Sequence, residues 1–438
     1  MLVALGRVHL PKHLPFPRTG YLVGGAVRDL WLGRHPADFD FVVLDPRLEA
    51  TRAAKTLGGS AFLLDEARGH WRVVKEGLTL DYTPLPPGGL VEDLLRRDFT
   101  VNALAANQRG LVLGPSLARH DLAHGWLRAV RRQNLWADPL RSLRAVRLAY
   151  TLGLKLEART ARWVRAHAEA LRFSTRPAWE RVRDELEKLL ASPYAANGFL
   201  ELERRGLLAA YLPELAAGVG VAQGGYHHLE VFRHQLEVLA QLVRIHPKAD
   251  PALRWAALLH DVAKPLVRQW DPQRGYYRFF GHAEVGAGVA REVLKRLREP
   301  TALVRRVYRL VQHHMHLPPK SRRGLLRWVH KHRALLPDLL YLQLADREAT
   351  RGPRANPEET AQLWATLETV REILEHHPLE PPLLSGREVM ALLGIPPGPE
   401  VGRLLRALAE AQAVGDVRTP EEARAFIRLR HEAEASGA

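Results

Sequence analysis

The stretch of residues 21–40 constrains this chain more than any other part of its sequence. Residues 21–23 predict a buried strand, Gly24-Gly25 a tight turn, and residues 26–32 one or two helical turns. Asp38 and Asp40 then begin a second apolar run, and alternate residues of a strand point to the same face. Because adjacent carboxylates repel unless a cation lies between them, and Mg²⁺ prefers oxygen ligands, this pair predicts a magnesium site.

The turn before the carboxylates adds a second feature. Gly24-Gly25 lets backbone approach a phosphate closely, and Arg28 is near enough to bind one. Taken alone, a D-x-D pair is usually a solvated strand end and a Gly-Gly pair is usually only a turn. In a strand–turn–helix–strand context, their combination predicts a metal-dependent nucleotide site.

These motifs resemble a G-G-x-V-R-D turn followed by D-x-D, the signature of the nucleotidyltransferase superfamily. That superfamily includes the CCA-adding tRNA nucleotidyltransferases and the bacterial poly(A) polymerases. The resemblance implies that Asp38 and Asp40 are catalytic and hold two Mg²⁺ ions, and that Gly24, Gly25 and Arg28 bind the nucleotide. It also implies an α+β chain with an α/β nucleotidyltransferase head followed by all-α neck, HD and tail domains, the bacterial class II type.

Composition is compatible with this reading. The 438 residues predict two to four domains, no apolar run is long enough to span a membrane, and the chain has no cysteine. A cytoplasmic setting is therefore expected. The formal charge of +16, with arginine in excess over lysine, suits a polyanion such as RNA, although genome bias or heat adaptation can produce the same composition.

Chain order predicts five segments. Strands are expected near residues 21–24, 38–44, 61–64, 71–75 and 78–83, with a helix near residues 47–57. The predicted segments are a loose lead-in at 1–20, the head at 21–125, a helical neck at 126–215, an HD domain at 216–378 and a helical tail at 379–438.

A second motif in the head resembles the family's R-R-D-F-T-x-N-A-[IL]-A pattern, starting at Arg96. The resemblance implies that Arg97, Asp98 and Asn102 bind the nucleotide. We expect an arginine pair at a helix start to clamp a triphosphate, with Asp98 as its orienting partner. Asp81 stands where the superfamily often has a third strand carboxylate, and either shares the metal site, steers the RNA 3′-hydroxyl, or is only a surface residue.

A third motif begins at Asp138, an N-cap candidate followed by Pro139. It resembles the family's E-D-x-x-R element, with Ala137 in the place of the glutamate. By resemblance, Asp138 and Arg141 read the incoming base, while Arg144 and Arg147 contact phosphate or the fold. Glu180-Arg181 resembles the neck pair that supports the base-reading helix, and an exposed charge ladder is the alternative.

A set of histidines and aspartates begins at Tyr226 and resembles the HD superfamily. Imidazole and carboxylate ligands suit a divalent transition metal, and bridged metals can activate water for phosphoester hydrolysis. A scaffold without metal is the alternative. The expected ligands are His234, His260, Asp261 and Asp346, with His282 and His314 in addition.

The expected substrates are CTP and/or ATP and the tRNA 3′ end, with no membrane partner. The span between Asp81 and the second motif is short, which by resemblance favours CC-addition, with a separate enzyme completing the tail. Full CCA-addition and A-addition remain alternatives, as do an HD phosphohydrolase with an RNA-binding head and a non-enzymatic tRNA scaffold. A helix–turn–helix after a hinge at residues 378–382 resembles the family's tail.

Overall fold

The structure is a computed structural model that describes residues 2–171, 177–224, 227–352, 356–376 and 381–435. The chain forms two compact units, Met1–Ala216 and Ala217–Ala438. Tyr226, which begins the histidine-rich motif, and Pro378, which begins the predicted hinge, lie outside the described residues. The expected α+β class is confirmed, because a mixed sheet in the first unit is followed by helices.

The first unit is built on an eight-stranded sheet. Its strands are β1 Leu2–Arg7, β2 Gly20–Val23, β3 Asp38–Val43, β4 Ser60–Asp65, β5 His70–Lys75, β6 Leu78–Pro84, β7 Ala105–Ala106 and β8 Leu111–Pro115. They lie in the order β1-β8-β7-β2-β3-β6-β5-β4, and within it only β3 and β6 pair in parallel. The predicted head strands are confirmed, and β3 occupies an interior position between β2 and β6.

The predicted loose lead-in is wrong for residues 2–7. These residues form β1, which pairs with β8 from Leu2 opposite Pro115 to Arg7 opposite Leu111. The segment itself carries no turn signal, and its partner strand lies about a hundred residues further along the chain. Sequence periodicity reports local structure only, so it could not reveal this long-range pairing.

Helices surround the sheet and continue beyond it. They are α1 Gly25–Trp31, α2 Pro46–Leu57, α3 Gly89–Arg96, α4 Ser116–His124, α5 Arg132–Ala137, α6 Leu140–Leu152, α7 Ala158–Ala170, α8 Trp179–Leu190, α9 Ala195–Arg204, α10 Leu207–Tyr211 and α11 Pro213–Ala216. Thr100–Asn102 is a 3₁₀ turn, and β9 Trp126–Leu127 pairs with β10 Lys155–Leu156. The buried face of α6 includes Leu140, Leu143 and Val146, and α6 packs on α8 and α9.

The second unit is mainly helical. Its elements are α12 Val231–Ile245, α13 Pro251–Leu259, α14 Lys264–Val267, β11 Gln269–Asp271, β12 Tyr276–Arg278, α15 His282–Arg296, α16 Thr301–His313, α17 Arg322–His332, α18 Asp338–Ala349, α19 Pro357–His376, α20 Gly386–Leu393, α21 Pro399–Ala413 and α22 Pro420–Ala435. A 3₁₀ turn at Arg333–Leu335 follows α17. Among the described residues, no helix is long and apolar enough to cross a membrane.

Helix α13 is the centre of this unit. Asp250 caps it through a hydrogen bond from the Leu253 N–H, with Pro251 at its first position. All its residues from Ala252 to Leu259 are buried, and it packs against α12, α16 and α18. A helix that is buried on every side, here with Arg254 as its one charged residue, lies in the core, so its C-terminal end delivers His260 and Asp261 to the interior.

Candidate functional site

The D-x-D carboxylates lie side by side on β3. Asp38 and Asp40 are both exposed, while Phe39 between them is buried on the opposite face. Asp40 lies opposite Val23 of β2 on one side and opposite Asp81 of β6 on the other. The alternation predicted from sequence is thus confirmed, and three carboxylates share one region of the sheet.

Gly24, in the turn after β2, and Arg97, which follows α3, lie next to the D-x-D carboxylates. Gly24 has a φ of 78°, and a Cβ on it would lie 2.8 Å from the Arg97 guanidinium and 3.7 Å from the Asp40 carboxylate. Only glycine therefore allows this approach at that conformation. Gly25 begins α1, where a Cβ would lie 3.4 Å from the Arg28 guanidinium.

Asp40 has unusual electrostatics. Desolvation by the surrounding protein, together with the negative charges of Asp81 and Asp38, raises the pKa of Asp40 to about 6. The positive charges of Arg97 and Arg72 oppose this shift. The carboxylate remains accessible. A carboxylate whose ionisation is disfavoured by like charges gains most from a bound cation, so this donor set fits Mg²⁺.

Arg72 belongs to this site and was missed by the sequence analysis. Arg72 lies on β5, opposite Asp81 of β6, and it donates hydrogen bonds of 2.7 Å to both oxygens of the Asp81 carboxylate. A planar guanidinium in this bidentate geometry fixes its partner. Asp81 is therefore held by Arg72 beside the D-x-D pair.

Replacing Arg72 tests how strongly this arginine opposes cation binding by the three carboxylates. Arg72→Met frees the Asp81 carboxylate beside Asp38 and Asp40, so we expect Mn²⁺ to bind about threefold to fivefold more tightly. The measurement is Mn²⁺ titration by electron paramagnetic resonance at pH 8, where Asp40 is ionised. Lys75→Met, which removes a cation from the same strand, should leave the affinity unchanged. Equal affinities in the Arg72 variant and the wild type would contradict the expectation.

The arginine pair of the second motif is placed differently from the prediction. Arg96 is the last residue of α3 and Arg97 follows it, so the pair ends a helix rather than starting one. Arg97 donates to Asp93 over 2.9 Å, and Arg96 pairs with Glu92. Arg97 is oriented by Asp93, one helical turn before it, and not by Asp98.

Asp98 instead belongs to a hydrogen-bond chain that starts at Arg28. The Arg28 guanidinium donates to Asn102 Oδ1 over 2.6 Å, and Asn102 Nδ2 donates to Asp98 Oδ1 over 3.0 Å. Arg28 also forms a bidentate pair with Asp29, and Arg144 donates to Asp98 over 3.4 Å. This chain links helix α1 to helix α6.

The two residues expected to read the base lie at the start of helix α6: Asp138 two positions before its first residue, and Arg141 within its first turn. Its first residue is Leu140, one position later than predicted, and Asp138 Oδ1 accepts the Leu140 N–H over 3.1 Å. Arg181 donates a hydrogen bond to Asp138 over 2.6 Å. Partial burial of Asp138 acts to raise its pKa, but this hydrogen bond and the positive charge of Arg181 outweigh burial, so the pKa of Asp138 is lowered. Arg141 donates to the carbonyls of Arg96 and Asn134 over 2.9 and 3.0 Å.

A cavity of about 410 Å³ lies in front of these side chains. Asp138, Arg141 and Arg181 line it together with Arg68 from the turn between β4 and β5. The Arg181 contact supports the prediction that the neck pair serves the base-reading helix. The charged groups of Asp138, Arg141 and Arg181 that line the cavity can hydrogen-bond a nucleotide base.

Arg144 and Arg147 contact the fold. Their Nε atoms donate to the two oxygens of Glu185 over 2.9 and 2.8 Å, and Glu185 is only 3% exposed. The sequence analysis left phosphate and the fold as alternatives for these arginines. Glu185 on α8 is the residue that it missed, because only tertiary packing brings α8 against α6.

In the second unit, the six expected HD residues meet in one place. His260 Nε2 and His282 Nε2 lie 3.2 and 3.4 Å from the two oxygens of Asp261, and His314 Nε2 lies 3.9 Å from one of them. His234 Nε2 lies 2.9 Å from Asp346 and 3.7 Å from Asp261. We refer to this group as the HD centre; its members are His234, His260, Asp261, His282, His314 and Asp346.

The histidine orientations fit a metal. The Nδ1 atoms of His260, His282 and His314 lie 2.9, 2.8 and 2.6 Å from backbone carbonyls. Such contacts leave the Nε2 atoms to face the Asp261 carboxylate, where a ligand bond to a metal can form. Burial lowers the pKa of His314 to about 3, which keeps that imidazole neutral.

Lys264 contacts the HD centre, Gln223 contacts Lys264, and the sequence analysis missed both roles. Lys264 Nζ lies 2.6 Å from Asp261 Oδ2 and donates to Gln223 Oε1 over 2.6 Å. The lysine lies three residues after Asp261, so the helical spacing of the H-D-x-x-K segment was the available signal.

Comparison with known proteins shows the family of the chain. Family models match at residues 20–67 ("Poly A polymerase head domain"), 153–218 ("Probable RNA and SrmB- binding site of polymerase A") and 231–351 ("HD domain"). The CC-adding tRNA nucleotidyltransferase of Thermus thermophilus is 51% identical over 97% of this chain and 98% of its own. The chain belongs to the tRNA nucleotidyltransferase family. It is therefore an enzyme of nucleotidyl transfer.

Two further comparisons define what the family likeness leaves open. The A-adding tRNA nucleotidyltransferase of Deinococcus radiodurans is 50% identical over 95% of this chain and 97% of its own. A crystal structure of the Bacillus stearothermophilus CCA-adding enzyme in complex with CTP has a TM-score of 0.67 at 24% identity, over 96% and 95% of the two chains. This tRNA nucleotidyltransferase family member is thus equally similar to relatives that add different nucleotides.

Proposed function

We propose that this tRNA nucleotidyltransferase adds two CMP residues to the tRNA 3′ end, using CTP and releasing pyrophosphate. A separate enzyme then adds the terminal AMP. The transfer needs no nucleic-acid template, because protein side chains select the base. The tRNA-directed chemistry of the family supports a cytoplasmic setting.

The observation that carries CC-addition is the short connection between β6 and α3. β6 ends at Pro84 and α3 begins at Gly89, so residues 85–88 are the whole link. The Leu85 N–H donates to the Val43 carbonyl over 2.7 Å, and the Gly88 N–H donates to Glu92 over 2.7 Å. A short link held by these two hydrogen bonds favours a base pocket of one size, which supports the selection of cytosine alone.

The head residues have separate tasks in this proposal. Asp38 and Asp40 hold Mg²⁺, and Arg28 and Arg97 bind the triphosphate. When bound, Mg²⁺ activates the RNA 3′-hydroxyl and neutralises the leaving pyrophosphate. Arg72 holds Asp81 in a fixed position beside them. The remaining members of the expected nucleotide site, Gly24, Gly25, Asp98 and Asn102, shape the turn and orient Arg28.

Base selection falls to the cavity in front of α6. Asp138 is fixed by Arg181, and Arg141 is fixed by two backbone carbonyls, so both present defined hydrogen-bonding groups. A site built to hydrogen-bond one base leaves its polar groups unpaired with another base, which gives strong discrimination. We therefore assign CTP recognition to Asp138 and Arg141.

The HD centre supports a bound divalent transition metal, because neutral imidazoles and carboxylates are the ligands such ions prefer. A hydrolase in which the head only binds RNA is not favoured, since the head keeps its D-x-D pair and the similar relatives are named nucleotidyltransferases. The same two observations disfavour a non-enzymatic scaffold.

The test uses purified protein with Mg²⁺ and three tRNA transcripts, ending before the CCA, after CC and after CCA. Labelled CTP and labelled ATP are supplied separately and then in sequence. We expect two CMP residues on the first transcript and no AMP on any of them. AMP addition to the transcript that ends in CC would disprove the CC-adding assignment, and no incorporation with either nucleotide would disprove nucleotidyl transfer itself.

A further inference from the structure

A short hairpin in the second unit presents aromatic side chains to solvent. Its strands are β11 and β12, which pair from Gln269 opposite Arg278 to Asp271 opposite Tyr276. Trp270 on β11 is 55% exposed, and Phe280, two residues after β12, is 61% exposed. Large rings that remain in water contribute little to the stability of a two-stranded hairpin, and exposed rings on neighbouring strands indicate an interaction site.

One face of the hairpin carries a cation and two rings in contact. Trp270 lies directly opposite Tyr277, and the two rings meet edge to face with their centres 4.9 Å apart. The Arg268 guanidinium lies 3.5 Å from the centre of the Tyr277 ring. We refer to Arg268, Trp270 and Tyr277 as the hairpin platform.

The second exposed ring also has an arginine stacked on it. The Arg278 guanidinium lies 3.8 Å from the ring centre of Phe280, and it contacts the Asp271 carboxylate over 3.2 Å. Arginine on an aromatic ring brings positive charge to a flat apolar surface. Single-stranded nucleic acid requires this combination, because its bases stack on rings and its phosphates pair with cations.

Arg268 differs from Arg278 because its charge is not balanced. Among the described residues, the Arg268 Nε atom is buried without a hydrogen-bond partner, and no carboxylate lies within ion-pair distance of the guanidinium. The side chain as a whole is only half-buried. A guanidinium without a partner keeps its capacity for charge-assisted hydrogen bonds, and phosphate is an acceptor that matches its geometry.

The charge of the whole segment favours an anionic occupant. Residues 266–280 contain three arginines and one aspartate, and Asp271 is already paired with Arg278 and Arg274. A peptide partner would have to supply acidic groups as well as apolar ones, whereas every nucleotide carries both a flat ring and a phosphate. Because paired bases are covered by their neighbours, the stacking rings select unpaired nucleotides.

We propose that the hairpin platform, together with Phe280, binds an unpaired segment of the tRNA substrate. Trp270 and Phe280 stack on bases, and Arg268 pairs with a backbone phosphate. The site contributes to tRNA affinity and takes no part in the chemical step, which belongs to the head residues. The inference rests on the proposed function only for the identity of the RNA.

The first experiment follows Trp270 in the full-length chain labelled with fluorotryptophan. The fluorine resonance of Trp270 is assigned by its absence in Trp270→Phe. We expect a tRNA transcript that lacks its CCA end to shift this resonance, and a blunt RNA duplex, whose base faces are covered, to leave it in place. A resonance that the tRNA does not move would overturn the proposal. The measurement needs no transfer activity, so it keeps its meaning if the proposed function fails.

Two double variants separate stacking on bases from simple apolar contact. Trp270→Leu with Phe280→Leu keeps apolar side chains but removes both aromatic faces, so we expect the KM for tRNA to rise about tenfold while kcat is unchanged. Trp270→Phe with Phe280→Tyr keeps both aromatic faces and should remain close to the wild type. The same KM in the two double variants would overturn the stacking role.

The phosphate contact is tested through its dependence on salt. In Arg268→Gln, the slope of log affinity for tRNA against log salt concentration should fall by about 0.7, the value for one phosphate of a single strand. Arg291→Gln changes an arginine of α15 that is paired with Glu292, and as the matched control it should leave the slope unchanged. An unchanged slope in Arg268→Gln would exclude a phosphate partner for Arg268.

Discussion

Asp40→Asn is expected to lower the rate of nucleotidyl transfer about 10³-fold while leaving the fold at least as stable. The rate falls because the D-x-D pair loses one metal ligand, and a metal that stabilises transition-state charge contributes several kcal/mol. Stability is retained because the pKa of Asp40 is raised to about 6, which means that the folded protein disfavours its charge. Single-turnover CMP incorporation and thermal unfolding at pH 8 measure the two effects.

The pairing of lost activity with retained stability distinguishes a catalytic role for Asp40 from a structural one. Glu76→Gln removes a carboxylate from an exposed turn of the same sheet and should change neither quantity. An Asp40→Asn enzyme that keeps more than a tenth of wild-type activity would contradict the assignment of this residue to the metal site.

The second large effect is expected at Glu185. This buried carboxylate accepts hydrogen bonds from Arg144 and Arg147. Glu185→Gln therefore removes the counter-charge of Arg147 and one of the two counter-charges of Arg144, which keeps its contact with Asp98. Breaking a buried ion pair from one side costs about 3–5 kcal/mol. For a unit of this size, that corresponds to a melting temperature lower by roughly 10 °C.

Transfer activity should also fall in this variant, because Arg144 connects Glu185 to Asp98 and thereby to the chain that orients Arg28. We expect the KM for CTP to rise before kcat changes. Glu187→Gln lies on the same helix outside this network and serves as the control. A melting temperature equal to the wild type would show that α8 does not depend on the Glu185 charge.

Local pattern was enough to predict the D-x-D geometry. Side chains two residues apart share a strand face by covalent geometry alone, so Asp38 and Asp40 lie together wherever residues 38–43 form a strand. The helix after Asp138 followed from local signals in the same way, because an N-cap candidate stands directly before Pro139. Errors in these elements are limited to one residue at their ends.

The pairing of Arg72 with Asp81 could have been predicted from the turn that joins their two strands. Glu76 and Gly77 both have positive φ, at 44° and 85°, and close a two-residue hairpin between Lys75 and Leu78. Once that turn is recognised, counting outward from it pairs Arg72 with Asp81. The pairing of β1 with β8 had no such local signal, and neither did the contact between Glu185 and α6.

The sequence by itself determined which chemical groups this tRNA nucleotidyltransferase carries and on which strand or helix each one lies, because periodicity and motif spacing are local properties. Only the tertiary structure decided which side chains are hydrogen-bond and ion-pair partners. It placed Asp98 with Asn102, and Arg97 with Asp93. The physical reason is that partner choice depends on packing between segments far apart in the chain, which no local pattern encodes.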